Sequence, residues 1–414
     1  MGIPSDDVVL ISRSENQENL HIITVNCPDK TGLGCDLCRI ILLFQLSIVK
    51  GDVSTDGKWC YLVFWVVGKS TTRWSLLKNR LVDACPTCSS ASEIYYYKAE
   101  SFKKPKPSEV FLLKLCCNDR SGLLHDVTKV LCELELVIKR VKISTTPDGS
   151  VMDLFFITDT RELLHTKSRQ EEAHSHLKAV LGDVMISCDI ELVVKEMATS
   201  SQGNTFLPPD LAEEMFSLEM PKEPTSGHSD QKNVSVIMDN HLSPAHTLIQ
   251  IQCEDHKGLL YDIMRTLKDY NIQISYGRFN IKQGRKCEVD LFIVQADGKK
   301  VIDPNKQTSL CSRLRMELTH PLRVTMVSQG PDTELLVANP VELSGKGRPL
   351  VFYDITLTLK NLCTCIFSAK IGRHIIKDRE WEVYKIRFDE GNGISLSTKK
   401  IECEVRNMLM GWES

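Results

Sequence analysis

Three short stretches of this chain repeat one arrangement of residue types suited to holding a small charged molecule. They read Cys27-Pro28-Asp29-Lys30-Thr31-Gly32-Leu33-Gly34-Cys35-Asp36, Cys117-Asn118-Asp119-Arg120-Ser121-Gly122-Leu123-Leu124-His125-Asp126 and Cys253-Glu254-Asp255-His256-Lys257-Gly258-Leu259-Leu260-Tyr261-Asp262. In each, an apolar β-like run ends at an Asp, a variable pair follows, then Gly-Leu, then a second Asp four residues after the Gly. A helical spacing of apolar residues starts at the Leu, so each stretch is a strand–helix junction. The first N–H groups of a helix have no intrahelical partner and carry the positive end of its dipole, which suits a carboxylate. The Gly admits close approach of another group, because it has no Cβ. The first Asp is an acceptor for an ammonium group. N–H donors beside one carboxylate fit a zwitterionic amino acid. The plainer reading has the Asp as a helix cap and the Gly as a turn or packing residue.

Other chemistry-bearing residues point less far. Sixteen cysteines occur without a secretory pattern, so reduced thiols acting as small apolar residues are expected. Cys35/Cys38 and Cys85/Cys88 are CxxC pairs, but 46 residues separate them, against about 15–20 in common zinc sites. No metal is expected. Gly345-Lys346-Gly347 lacks the rest of a phosphate-loop pattern. His165, His174 and His176 accompany no HExxH and are expected at the surface. No Gly-x-Ser-x-Gly nucleophile pattern is present.

The elements that position these junctions recur as well. A degenerate fourth junction, Gly347-Arg348-Pro349-Leu350-Val351-Phe352-Tyr353-Asp354, lies 92 residues after the third. The first two are 90 residues apart, and the second and third 136. Residues 197–245 account for the excess, with Pro208-Pro209, Pro221, Pro224, seven acidic and two basic residues. This stretch reads as a linker with one short helix over Asp210–Leu218. Each repeat runs strand, helix, hairpin, helix and strand. In the first, these are His21–Val25, a helix from Leu33, Leu46–Val53, a turn at Asp56-Gly57, Trp59–Trp65, a helix over Trp74–Ala84 and a strand over Glu93–Lys98. The turns of the second and third repeats fall at Asp148-Gly149 and Gln283-Gly284. The order βαββαβ predicts an α+β fold of tandem ferredoxin-like modules, each a four-stranded antiparallel sheet with both helices on one face.

A ferredoxin-like module with Asp-Arg-Ser-Gly-Leu-Leu-His-Asp at its first strand–helix junction resembles the ACT domain, a small-molecule regulatory module. Four such modules without a catalytic segment resemble the plant ACT domain repeat proteins. The stretch from Pro331 to Arg348, with Glu334-Leu335-Leu336-Val337-Ala338-Asn339-Pro340, is similar to one subgroup of them. The modules are placed at 20–100, 108–196, 246–329 and 333–412, with the acidic linker at 197–245. The resemblance implies amino-acid binding at junctions between paired modules, by Asp29, Gly32 and Leu33, by Asp119, Gly122 and Leu123, and by Asp255, Gly258 and Leu259. It implies a regulatory protein, not an enzyme, with no cofactor, no catalytic residue and a free amino acid as effector. It is also similar to the effector-sensing tail of the bacterial uridylyltransferase that senses glutamine. The rival reading is a scaffold of modules that binds no small molecule.

Charge and hydropathy narrow the classes further. The net charge of −3 and pI near 6.4 give no global attraction for nucleic acid. No apolar run reaches the roughly 18–20 residues of a membrane span. Met1 to Val8 has no basic or apolar block, and Asp6 breaks the myristoylation pattern after Gly2. A cytoplasmic protein is expected, with the nucleus and a homodimer both left open and an unidentified protein as downstream partner. Equal spacing within each half predicts that modules one and two form one unit and modules three and four another. The fourth module, with Gly347 and Leu350 in place of Asp and Gly, is expected to bind no ligand and to lack its last strand.

Overall fold

The computed structural model describes residues 7–86 (except 16 and 18), 109–145, 149–193, 207, 209–216, 234–329, 332–376, 379–388 and 397–411. Module one comprises β1 (Val9–Arg13), β2 (Leu20–Pro28), α1 (Leu33–Leu43), β3 (Ser47–Thr55), β4 (Trp59–Val67) and α2 (Trp74–Ala84). Module two comprises β5 (Phe111–Asn118), α3 (Leu123–Glu133), β6 (Leu136–Thr145), β7 (Ser150–Asp159), α4 (Lys167–Leu181) and β8 (Met185–Leu192). A short helix, α5 (Pro209–Phe216), follows. Module three has β9 (Ser235–Asp239), β10 (Thr247–Glu254), α6 (Leu259–Asp269), β11 (Ile272–Ile281), β12 (Lys286–Gln295) and α7 (Pro304–Thr319). Module four has β13 (Arg323–Gln329), β14 (Asp332–Pro340), α8 (Val351–Asn361), β15 (Ile366–Ile376), β16 (Arg379–Phe388) and α9 (Thr398–Met410).

Period-two burial makes the strands. Along β4, Cys60, Leu62, Phe64 and Val66 are buried, while Tyr61 between them is half exposed. Along β7, Phe155 and Ile157 face the core, while Leu154 and Phe156 are half buried on the other face. The Arg140 guanidinium covers Phe156 at 5.3 Å from its ring centroid. Period 3.6 makes the helices: Leu33, Leu37 and Ile41 of α1 share one buried face with Cys38 and Leu42. Cys35 and Cys38 are therefore core residues, as their helical spacing suggests.

The eight strands of each half form one sheet. The first has the order β1-β2-β4-β3-β11-β12-β10-β9, and the second β13-β14-β16-β15-β6-β7-β5-β8. Module one thus joins module three, and module two joins module four. This corrects the pairing read from the spacing, one with two and three with four. The physical reason is that the joining edges belong to the second strands, β3 with β11 and β15 with β6. Spacing along the chain says nothing about which free edge meets which. Side chains across the first seam do: Arg278 is the register partner of Asp52, at 3.4 Å.

The outer edges differ from expectation too. Module two has the ferredoxin-like order, with its last strand β8 beside its first, β5. In modules one, three and four a strand preceding the module fills that place: β1 beside β2, β9 beside β10, β13 beside β14. The fourth module's edge is therefore closed by β13, which repeat spacing assigns to module three. β9 and α5 both lie within the stretch read as a linker. The strand expected over Glu93–Lys98 lies outside the described residues.

Each sheet carries its helices on one face, and each half has its own core, shared by its two modules. The two helix layers meet. Every residue of α6 from Leu259 to Leu267 is buried, on its own sheet and against the other half. α5 covers the opposite face of module four, where Leu207, Met215 and Phe216 pack on Leu336, Ala338, Trp381 and Val383.

Candidate functional site

Each junction is built the same way. The strand ends, the chain turns through one residue with a left-handed backbone, and the helix starts. That residue is Gly32 (φ 79°), Gly122 (φ 78°) and Gly258 (φ 83°). Leu350 occupies the same place in module four with φ 65°, a conformation that costs a non-glycine residue about 1 kcal/mol. The backbone N–H of the preceding Asp is tied to the neighbouring hairpin: Asp29 to the Lys58 carbonyl at 2.9 Å, Asp119 to Gly149 at 3.0 Å, Asp255 to Arg285 at 2.7 Å. Leu33, Leu123 and Leu259 are buried and anchor the first turns.

What lies over each glycine decides what the junction can hold. Over Gly32 stands the side chain of Lys268, from the end of α6 in the paired module; a Cβ on Gly32 would lie 2.7 Å from it. Lys268 binds Asp36 at 3.1 Å and Glu342 at 3.2 Å. Burial pushes the Asp36 carboxyl up, but Lys268, Lys346 and Lys30 more than offset this, so it titrates below the usual range. The Asp29 carboxylate accepts the Thr55 hydroxyl at 2.7 Å. The first junction is thus covered by Lys268 and its ion pairs to Asp36 and Glu342.

The third junction is filled from the other half. The Arg348 guanidinium lies 3.2 Å from a Cβ placed on Gly258 and donates to the carbonyls of Lys257 and Leu409. Lys257 pairs with buried Asp354 at 2.7 Å, and His256 with buried Asp262 at 3.2 Å. The Asp262 carboxylate is pushed up by burial and pulled below its ordinary value by His256, Arg348 and Arg265. The space at Asp255, Gly258 and Leu259 is about 20 Å³, room for one water. Arg348 belongs to the degenerate junction, so the fourth loop serves as a plug for the third.

The second junction carries the same cover, the Lys360 side chain lying 2.8 Å from a Cβ placed on Gly122, but open space remains beside it. A cavity of about 280 Å³ opens where module two meets module four, close to the ~300 Å³ at which small-molecule sites begin. Asp119, Gly122 and Leu123 all line it, with Lys360, Thr364 and Ile366 from the end of α8 and beyond. Lys360 and Arg120 both bind Asp126 in the first turn of α3, at 2.7 and 2.6 Å. Burial raises the Asp126 carboxyl, and these two cations lower it further than that, leaving it ionised. His125 pairs with Thr356 at 3.2 Å across the module seam. Asp153 of β7 lines the cavity too, almost wholly buried, and its Oδ1 has no hydrogen-bond partner.

Of the nine residues named from sequence, Asp119, Gly122 and Leu123 border the space of about 280 Å³, and Asp255, Gly258 and Leu259 the space of about 20 Å³. Asp153, Lys360 and Thr364 escape the sequence reading. Lys360 and Thr364 are distant in sequence and arrive only through the pairing of modules two and four. Asp153 does leave a signal: it is a charge at an inward position of an alternating strand, between Val151 and Phe155. His165, His174 and His176 are exposed, as expected. No group of three His, Cys, Asp or Glu able to hold a metal occurs among the described residues.

Comparison with known proteins gives consistent matches along the chain. Residues 11–86 match the family described as "ACT domain-containing protein ACR10, N-terminal". Residues 235–332 match "ACR9-like, ACT-like domain", and 333–411 "ACT domain-containing protein ACR9, C-terminal". The match at 235–332 takes in β9, and that at 11–86 part of β1. The chain is 61% identical over 416 residues to ACT domain-containing protein ACR10 of Arabidopsis thaliana, covering 100% of both. It is 52% identical over 419 residues to ACT domain-containing protein ACR9 of the same plant, again covering 100% of both. A bifunctional uridylyltransferase/uridylyl-removing enzyme of Rhodospirillum rubrum is 27% identical over 202 residues, 49% of this chain and 19% of that protein.

Proposed function

The chain belongs to the ACT domain repeat family, and from that premise we propose that it is an amino-acid sensor whose ligand enters the cavity between modules two and four. Family membership supports a regulatory, non-enzymatic role. The observation that carries the finer reading is the 280 Å³ cavity at the start of α3. It offers the helix N-terminus for a carboxylate and Asp119 for an ammonium group. It spans two modules, so a ligand that prefers one arrangement of modules two and four shifts the balance between arrangements by its differential affinity. The altered surface is what a protein partner would read. The cytoplasm is the compartment we propose, with the nucleus open to it.

The first and third junctions favour a second role for modules one and three. There Lys268 and Arg348 lie over the glycines, and at the third junction the space is about 20 Å³ against 280 Å³ at the second, so modules one and three act as a scaffold that holds the second half in register. The test is a thermal-shift and calorimetric screen of the full chain against the twenty common amino acids. At least one should raise the melting temperature, since a ligand at about 100 times its Kd adds about 2.7 kcal/mol to the folded state. Asp119→Ala should weaken that ligand by about 1.5–3 kcal/mol, the worth of a charge-assisted hydrogen bond. A screen without any shift would leave the scaffold reading for the whole chain.

A further inference from the structure

The cavity contains a carboxylate that an ordinary zwitterion does not use. Asp153 lies on β7 opposite Leu115 of β5 and Ile143 of β6, on the inward face, with 1% exposure. Its Oδ1 has no partner, and no ion pair to Asp153 occurs among the described residues. A buried, unpaired carboxylate is strongly unfavourable, so the group either keeps its proton or ionises when a cation arrives to meet it.

The fold does not require it. Leu115 stands four residues before Asp119. The matching residues before Asp29 and Asp255 are Val25 and Ile251, whose register partners are Leu62 and Val289. Both partners are apolar and buried. A carboxylate therefore replaces an aliphatic side chain in the module whose junction opens into the large cavity. The cations that line this cavity are already committed: Lys360 and Arg120 both bind Asp126.

We propose that the ligand is an amino acid with a second positive charge on its side chain, held by Asp153 at the cavity floor while Asp119 and the start of α3 hold its α-amino and α-carboxylate groups. This rests on the amino-acid reading above. The charges then match: two carboxylates meet two cationic groups, and the ligand's own carboxylate meets the α3 N–H groups. Beside a neutral side chain Asp153 keeps its proton and adds no charge–charge attraction to binding. Burial, with Asp119 adding to it, raises the Asp153 carboxyl to about 7, so an arriving cation can ionise it near neutral pH.

The test is calorimetry on the full chain with L-lysine, L-arginine and L-norleucine, the last having the lysine chain without its ammonium. Lysine or arginine should bind at least tenfold tighter than norleucine. Asp153→Asn and Asp153→Leu should cut that preference to threefold or less. Leucine is the residue module one already carries at this place, so the second variant is expected to fold. A neutral amino acid that binds while lysine and arginine do not would overturn the charge inference and leave the sensor reading standing. A tenfold preference that survives both Asp153 variants would also overturn it. Failure of all twenty amino acids to bind, or affinities indifferent to both Asp119→Ala and Asp153→Asn, would overturn both readings.

Discussion

Asp153 has a cost in the ligand-free protein, and that cost depends on pH. Its carboxyl is raised by burial, then by Asp119, from 3.8 to about 7. Facing or near it are Asp119, Cys117 on β5, and Arg120, His125 and Lys360 around the cavity. A raised carboxyl favours the folded state fully only while protonated in both states. Its contribution is present below about pH 4 and is lost as the pH rises towards and through 7. The span corresponds to a loss of roughly 4 kcal/mol by pH 8. Asp153→Leu should therefore raise the melting temperature at pH 8 and raise it much less at pH 5; equal gains at both would contradict the assignment. Asp36 and Asp126 act with the opposite sign. Their lowered carboxyls stabilise above about pH 4, and that support is lost as the pH falls below their depressed values. Both tie one module of a pair to the other, so acid loosens the same seams.

At the scale of elements, α5 makes the sharpest test, because it lies outside the four modules. Phe216 meets Trp381 with ring centroids 4.9 Å apart, and the cluster around it screens one face of β14 and β16 from water. Phe216→Ala should destabilise module four by about 2–4 kcal/mol, read from urea unfolding followed by tryptophan fluorescence. A change below about 0.5 kcal/mol would mean that α5 is a passive passenger. The elements themselves are largely legible in the sequence. The helix expected over Trp74–Ala84 has those ends, and the expected 210–218 helix runs from Pro209 to Phe216. Both rest on local periodicity. Strand partners are not legible, because β3 and β6 are both amphipathic strands with a free edge, and neither sequence names its partner. The choice between them is made by the shared cores, and the exposed Asp52–Arg278 pair adds little to it. The same limit explains why Asp119 is found from sequence while Lys360 is not. One sits in a local motif; the other reaches the cavity through pairing alone.

Across the whole molecule, the two halves interlock through the chain itself. Modules alternate between sheets in the order first, second, first, second, so the segment between modules two and three crosses from one half to the other. A protease site engineered into 217–233 should yield two fragments that stay together on native size exclusion, since each fragment holds one module of each sheet. Two separately migrating fragments would contradict the pairing. A chain ending near residue 196 should aggregate, because β3 and β6 would both expose an unpaired edge. Alternation has a temporal side as well. About 220 residues separate β3 from its partner β11. At ~5–20 residues per second of synthesis, module one waits about 10–40 s on the ribosome before the strand that completes its sheet is made. During that interval module two emerges with a free edge of the same kind, and the wrong pair, one with two, is the only pair available. Any pairing of module one with module two formed in that interval must be given up when the third module arrives, which places the final register late in synthesis.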